Sequence, residues 1–166
     1  MREIKHLNYD WSFLPHFEEK YLELAELPDC IKVDLPHTVK EVPYNYFDDK
    51  IYQFISCYHK ILNLPSIYKG KKLLLKFAGV MGYAEVFVNG KFITNHFGGY
   101  TPFTVDITPY FNFDEDNHLI VKVDSTERSD IPPFGFVMDY LTYGGIYREV
   151  SLEIVEKCHI EHVFIK

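Results

Sequence analysis

Hydrophobic and polar residues alternate with period two along most of this chain, the pattern of half-buried β-strands. Leu119, Val121 and Val123 share one face of Leu119-Ile120-Val121-Lys122-Val123, and Val150, Leu152 and Ile154 repeat the arrangement. Ala84, Val86 and Val88 alternate with Tyr83, Glu85 and Phe87. Two runs, Lys72-Leu73-Leu74-Leu75-Lys76-Phe77 and Tyr52-Gln53-Phe54-Ile55-Ser56-Cys57-Tyr58, are apolar on both faces and therefore predict central strands. Asn89-Gly90 is a strong hairpin signal, because a type I′ turn needs two residues that tolerate positive φ. It predicts antiparallel pairing of residues 83–88 with 91–95. Turn residues cluster at Leu64-Pro65-Ser66, Gly98-Gly99-Tyr100-Thr101-Pro102, 112–117 and Ile131-Pro132-Pro133. Many short strands with such punctuation predict an all-β sandwich or barrel. Helical signal is thin. Phe17, Tyr21, Leu24 and Ala25 have helical spacing, but Pro28 follows and the window predicts a helical turn or irregular segment. Residues 158–166 read as strand-like and stop mid-pattern, as expected of one domain (1–166) cut from a longer protein.

Composition narrows the functional classes. A chain of 166 residues is long enough to bury a core as a single domain. Its 13 Tyr and 14 Phe against one Trp favour strand-built cores and also supply stacking surfaces for sugars. The 17 basic and 24 acidic residues leave a net charge of −7, which argues against nucleic acid or an anionic membrane as partner. Cys30, Cys57 and Cys158 are odd in number and widely spaced, so reduced thiols and a cytoplasmic setting are expected. The N-terminus, Met1-Arg2-Glu3-Ile4-Lys5-His6, lacks the apolar stretch of a secretion signal, and no run approaches the ~20 apolar residues of a membrane span.

Catalytic motifs are missing. The chain has no Gly-x-Ser-x-Gly elbow, no phosphate loop and no Gly-x-Gly-x-x-Gly. His159 and His162 flank a strand-like stretch beside Cys158, but on a strand they point to opposite faces, so no metal site is expected. Asp48-Asp49 and Asp114-Glu115-Asp116 lie in turn-like polar stretches and read as solvated loops. His37, after Leu35-Pro36, reads as a structural hydrogen-bonder. The most distinctive run is Met138-Asp139-Tyr140-Leu141-Thr142-Tyr143-Gly144-Gly145-Ile146-Tyr147-Arg148. A carboxylate among aromatic rings suits a sugar, whose hydroxyls donate to the acid while its C–H faces stack. The competing reading is a turn whose acid caps the backbone or faces solvent.

Seven segments, in order, resemble the N-terminal sugar-binding domain of glycoside hydrolase family 2, the β-galactosidase and β-glucuronidase group. They are Trp11-Ser12-Phe13; Leu35-Pro36-His37-Thr38-Val39; Tyr52-Gln53-Phe54; Phe77-Ala78-Gly79-Val80 through Ala84-Glu85-Val86-Phe87-Val88-Asn89-Gly90; His96-Phe97-Gly98-Gly99-Tyr100-Thr101-Pro102-Phe103 with Asp106-Ile107-Thr108; Asn117-His118-Leu119-Ile120-Val121-Lys122-Val123-Asp124; and Tyr143-Gly144-Gly145-Ile146-Tyr147-Arg148-Glu149-Val150. The third departs from the family's Tyr-x-Arg-x-Phe by lacking the arginine. The resemblance implies a jelly-roll, galactose-binding-domain-like β-sandwich of antiparallel strands with little helix. It implies an immunoglobulin-like domain and a (β/α)8 barrel in the same polypeptide, with both catalytic glutamates of a retaining hydrolase on the barrel. No catalytic residue, metal or cofactor is then expected in this chain. By the same resemblance Asp139 reaches the non-reducing sugar. Asn45 and Tyr143 are further candidate contacts, and Arg148, Gly144 and Gly145 have structural roles beside the site.

Three functions follow from these readings. The first is a glycone-contacting domain of an intracellular β-glycosidase, assembled as a homo-oligomer at full length. The second is a free-standing carbohydrate-binding module with Tyr140, Tyr143 and Tyr100 as a stacking platform. The third is a structural buttress in which Asp139 only caps a loop. The Gly98–Phe103 run leans toward the glucuronidase branch, while the residues that separate galactoside from glucuronide are expected mostly on the barrel.

Overall fold

The computed structural model describes residues 2–45, 48–135, 141–161 and 163–165. Ten strands are seen: β1 Glu3–His6, β2 Trp11–Leu14, β3 Ile31–Val33, β4 Ile55–Leu62, β5 Lys72–Phe77, β6 Tyr83–Val88, β7 Lys91–Phe97, β8 Phe103–Asp106, β9 Asn117–Asp124 and β10 Val150–Val155. They form two antiparallel sheets, ordered β1-β10-β5-β8 and β3-β2-β4-β9-β6-β7. From β4 to β10 the chain passes back and forth between the sheets, which is the jelly-roll arrangement expected. Among the described residues helix is confined to four short 3₁₀ turns, one of them Glu19–Glu23 inside the weak 17–27 window.

The alternating pattern points its apolar faces inward. Leu119, Val121 and Val123 meet Leu73, Leu75, Leu152 and Ile154 across the sandwich, all essentially inaccessible. The two runs that are apolar on both faces supply β4 and β5, each an interior strand of its sheet. A second, smaller core explains the outer face of β4 and β9. Leu14, Cys57, Phe87 and Ile120 are covered there by Tyr21 and Leu27 from the β2–β3 connection. The 83–88/91–95 hairpin forms as β6 and β7, with Asn89 at φ 51° and Gly90 at φ 74°.

One expected strand starts later than predicted and another is not found. Residues 52–54 do not open β4, because Asp48 accepts from the Lys50 N–H (3.0 Å) and caps a 3₁₀ turn over Asp49–Tyr52. An acid bonded to its own backbone offers that segment an alternative to the ladder. The described part of 158–166 is also not strand. β10 ends at Val155 opposite Lys72, where β5 begins, so the chain beyond has no neighbour to pair with. His162 lies outside the described residues.

Candidate functional site

One end of the sandwich gathers the loops that the sequence singles out. Ile55, Asp124, Tyr83 and Phe97 stand in register at that end of the six-stranded sheet, and Val150, Phe77 and Phe103 at that end of the other. The described parts of the connections that meet there are residues 34–45, 48–54, 78–82, 98–102, 125–135 and 141–149. Asp139 and Tyr140 lie outside the described residues. What the structure defines is the frame from which their loop departs and to which it returns.

The return is anchored by the glycine pair. A Cβ on Gly144 would lie 2.5–2.7 Å from Ser125 and Val39, and Gly145 passes so close to the Tyr58 hydroxyl that a Cβ would collide with it. Gly145 also takes φ +100°, a conformation open to glycine. Their carbonyls accept from Val39 N–H (3.1 Å) and Met81 N–H (3.0 Å), and Ile146 O accepts from His37 N–H (2.9 Å). Beneath them His37 Nδ1 and the Tyr58 hydroxyl are 2.8 Å apart. Burial lowers the His37 pKa and raises that of Tyr58, so both stay neutral near pH 7. The run Leu35-Pro36-His37-Thr38-Val39 and the run Tyr143–Arg148 are therefore two sides of one backbone junction.

The departure is anchored by charge. Arg128 makes a two-pronged bond to Asp130 (3.0 and 2.8 Å), approaches Asp124 at 3.5 Å and lies over the rings of Tyr83 and Phe97. Asp124 also accepts from Thr126 N–H at 3.0 Å, and Glu127 accepts from Gly135 N–H at 2.7 Å. Three acids of this stretch are thus committed to holding the loop. Ser125 Oγ donates to Met81 O (3.0 Å) and sits against Gly144, so departure and return touch.

Of the candidate contacts, Tyr143 is at the rim, at φ 51°, with its ring 6.1 Å from that of Tyr52 and 38% exposed. Asn45 is exposed in a bend of the 34–54 connection. Arg148 places its guanidinium 3.4 Å from Tyr100 O, 3.5 Å from Ala78 O and over the Tyr147 ring. Tyr147 donates to Gly99 O (2.6 Å), tying the 98–102 loop to the same junction. Sequence reasoning missed Arg128, Ser125 and the His37–Tyr58 pairing. The last had a signal, since a Tyr in a strand buried on both faces needs a partner for its hydroxyl. Among the described residues no group of three or more His, Cys, Asp or Glu is arranged to hold a metal ion. No helix among them is long and apolar enough to cross a membrane.

A two-sheet jelly roll that fixes loop ends at one rim is a platform for ligand contacts. Its sequence over residues 16–155 matches the family model described as glycosyl hydrolases family 2, sugar binding domain, and the chain belongs to that family. It is 48% identical to a β-galactosidase of Thermoanaerobacterium thermosulfurigenes, over 100% of this chain and 23% of that protein. It is 40% identical to a β-glucuronidase of Bacteroides fragilis, over 91% of this chain and 20% of that protein. The solved structure of Bacteroides uniformis β-glucuronidase 2, covalently bound to cyclophellitol-6-carboxylate aziridine, superposes with a TM-score of 0.83 at 32% identity, over 94% of this chain and 18% of that one. The chain spans about a fifth of the length of these relatives.

Proposed function

We propose that this chain is the sugar-binding domain of a retaining β-glycosidase acting on β-galactosides or β-glucuronides. Asp139 reaches from the rim to accept hydroxyls of the non-reducing sugar, with Tyr143 and Asn45 beside it. The catalytic glutamates lie on a (β/α)8 barrel, joined through an immunoglobulin-like domain of the same polypeptide. The assembly is a homo-oligomer, and three free cysteines fit a cytoplasmic setting. The observation that carries this reading is the family match across 16–155, together with a rim whose glycine junction holds the base of the Asp139 loop.

An ionised carboxylate that accepts two hydroxyls discriminates sugar configuration by geometry. The test is Asp139→Ala in the polypeptide encoded by the full reading frame, assayed on chromogenic β-galactosides and β-glucuronides. A glycone contact costs roughly 2–4 kcal/mol in kcat/KM, whereas a loop cap leaves it nearly intact. Turnover by the 166-residue chain alone would overturn the assignment of catalysis to the barrel. A second reading, a free-standing carbohydrate-binding module, draws on the exposed rings of Tyr100 and Tyr143 at the rim. Titration of the isolated chain with monosaccharides, followed by amide shifts at Tyr100 and Tyr143, separates the two, because a domain that lends one aspartate to a neighbour's pocket binds free sugar weakly at that rim.

A further inference from the structure

Away from the rim, the outer face of the six-stranded sheet carries a cavity of about 230 Å³. Its floor is a row of registered side chains, Lys32 of β3, Ser12 of β2 and His59 of β4. Its roof is Glu26, Leu27 and Cys30, from the connection that covers the second core. Asp10, Lys60 and Ile61 close the side. His59 lies four residues along β4 from the rim residue Ile55, so this is a separate place on the molecule.

Two of the floor groups are buried polar side chains with hydrogen-bonding capacity to spare. Ser12 is 7% exposed, and its hydroxyl makes no hydrogen bond among the described residues. His59 is 3% exposed and stacks on His118, with Nε2 3.1 Å from His118 Nδ1. Its own Nδ1 makes no hydrogen bond among the described residues. Neither group is sealed off without a partner, as Glu153 Oε2 is among the described residues; both line the open volume. The other groups are balanced. Lys32 pairs with Asp10 at 3.1 Å, and Lys60 donates to Tyr9 O at 2.7 Å. Glu26 has no ion pair among the described residues.

We infer that this outer-face cavity is a second ligand site, for a neutral polyhydroxylated molecule of monosaccharide size. Two carboxylates and two ammonium groups cancel around it, so an ion of either sign meets like charge as well as opposite. A polyol uses both, its hydroxyls donating to Glu26 and Asp10 while accepting from Lys32 and Ser12. Leu27 and Ile61 offer apolar surface to its C–H face. The volume is below the roughly 300–1,000 Å³ of pockets for drug-sized ligands, which suits a single sugar ring. The inference does not depend on the role of Asp139.

The test is a titration of the isotopically labelled 166-residue chain followed by amide chemical shifts. The probes are D-galactose and D-glucose, with glycine and inorganic phosphate as charged alternatives. A hexose is expected to shift Ser12, Lys32 and His59 saturably, with a Kd on the order of 1 mM. Glu26→Gln, at an exposed position, keeps the spectrum of the folded chain and weakens binding about tenfold, as does Ser12→Val. The site is overturned if neither hexose gives saturable shifts, or if shifts appear only at Gly144 and Tyr147 of the rim. Tighter binding of glycine or phosphate overturns the ligand class, as does an unchanged Kd in both variants.

Discussion

The Tyr58 hydroxyl lies 2.8 Å from Nδ1 of His37, and together they form the floor on which the Gly144-Gly145 backbone rests. One of the two donates and the other accepts. Replacing Tyr58 by Phe leaves the half-buried imidazole without its partner. The expected cost is about 1–2 kcal/mol of unfolding free energy, read by urea denaturation. A His37→Ala, Tyr58→Phe double-mutant cycle with no coupling would show that the contact contributes nothing.

Gly145→Ala should be worse than Tyr58→Phe. The new methyl meets the Tyr58 hydroxyl and comes within 3.0 Å of His37 O, at a φ of +100° that alanine disfavours. A loss of roughly 2–4 kcal/mol is expected. Combining Gly145→Ala with Tyr58→Phe removes the nearest clash and should recover part of that loss. Strictly additive effects would rule out the proposed contact.

At the opposite end of the sandwich Asn117 is fully buried and bonds in several directions. Its amide donates to Asn112 O (2.7 Å) and Glu115 O (3.0 Å), while Oδ1 accepts from Asn112 N–H (2.7 Å) and Asn89 Nδ2 (2.9 Å). Asn117→Ala strands these partners and should cost roughly 2–4 kcal/mol, seen as a lowered thermal midpoint. Asn117→Asp keeps the acceptor but sets a buried carboxyl against the carbonyl oxygens of Leu62, Asn112 and Glu115, so it should cost at least as much as the alanine.

Stability should fall on acidification through one identifiable group. Burial, helped by His118 and Lys32, brings the His59 pKa down from 6.5 to about 4. Between those values the unfolded chain binds a proton that the folded chain excludes, so stability decreases as pH falls from 6.5 toward 4 and levels off below. The contribution is roughly 3 kcal/mol. His59→Gln can keep a hydrogen bond without titrating, and its stability profile over this range should be flatter than that of the unsubstituted chain. Parallel profiles would exclude His59 as the source.

Thiol reactivity offers a direct report on the fold. Cys57 is inaccessible on the covered face of β4 and burial pushes its thiol up to about 12, while Cys158 is exposed. With a thiol reagent at pH 8, Cys158 should react at once and Cys57 only after unfolding. Fast modification of Cys57 in the native chain would mean that the 15–30 segment does not cover that face.

Local chemistry made several elements legible. The Asn89-Gly90 turn can be read directly, because its backbone conformation is a property of the two residues themselves. The alternation in 119–123 and 150–154 is legible for the same reason, since side-chain direction along a strand follows from the pleat. Residues 52–54 misled because Asp48 competes for the same backbone through a bond only one turn away. Residues 158–161 misled because a strand needs a neighbour, and β5 begins too late to provide one.

By itself, the amino-acid order specified strands, turns, a sandwich and the family whose motifs run from Trp11 to Val150. It also marked Gly144-Gly145 as unusual, without saying what lies beneath. Folding brings His37 under Gly145, Ser125 against Gly144 and Arg128 over Phe97, and these pairings join residues 19–108 positions apart. It also sets Lys32, Ser12 and His59 in one row under a roof of Glu26 and Cys30. Periodicity is a short-range property of the chain, whereas hydrogen-bond partners and cavities depend on sheet order and register. Those are selected by burial of the whole core.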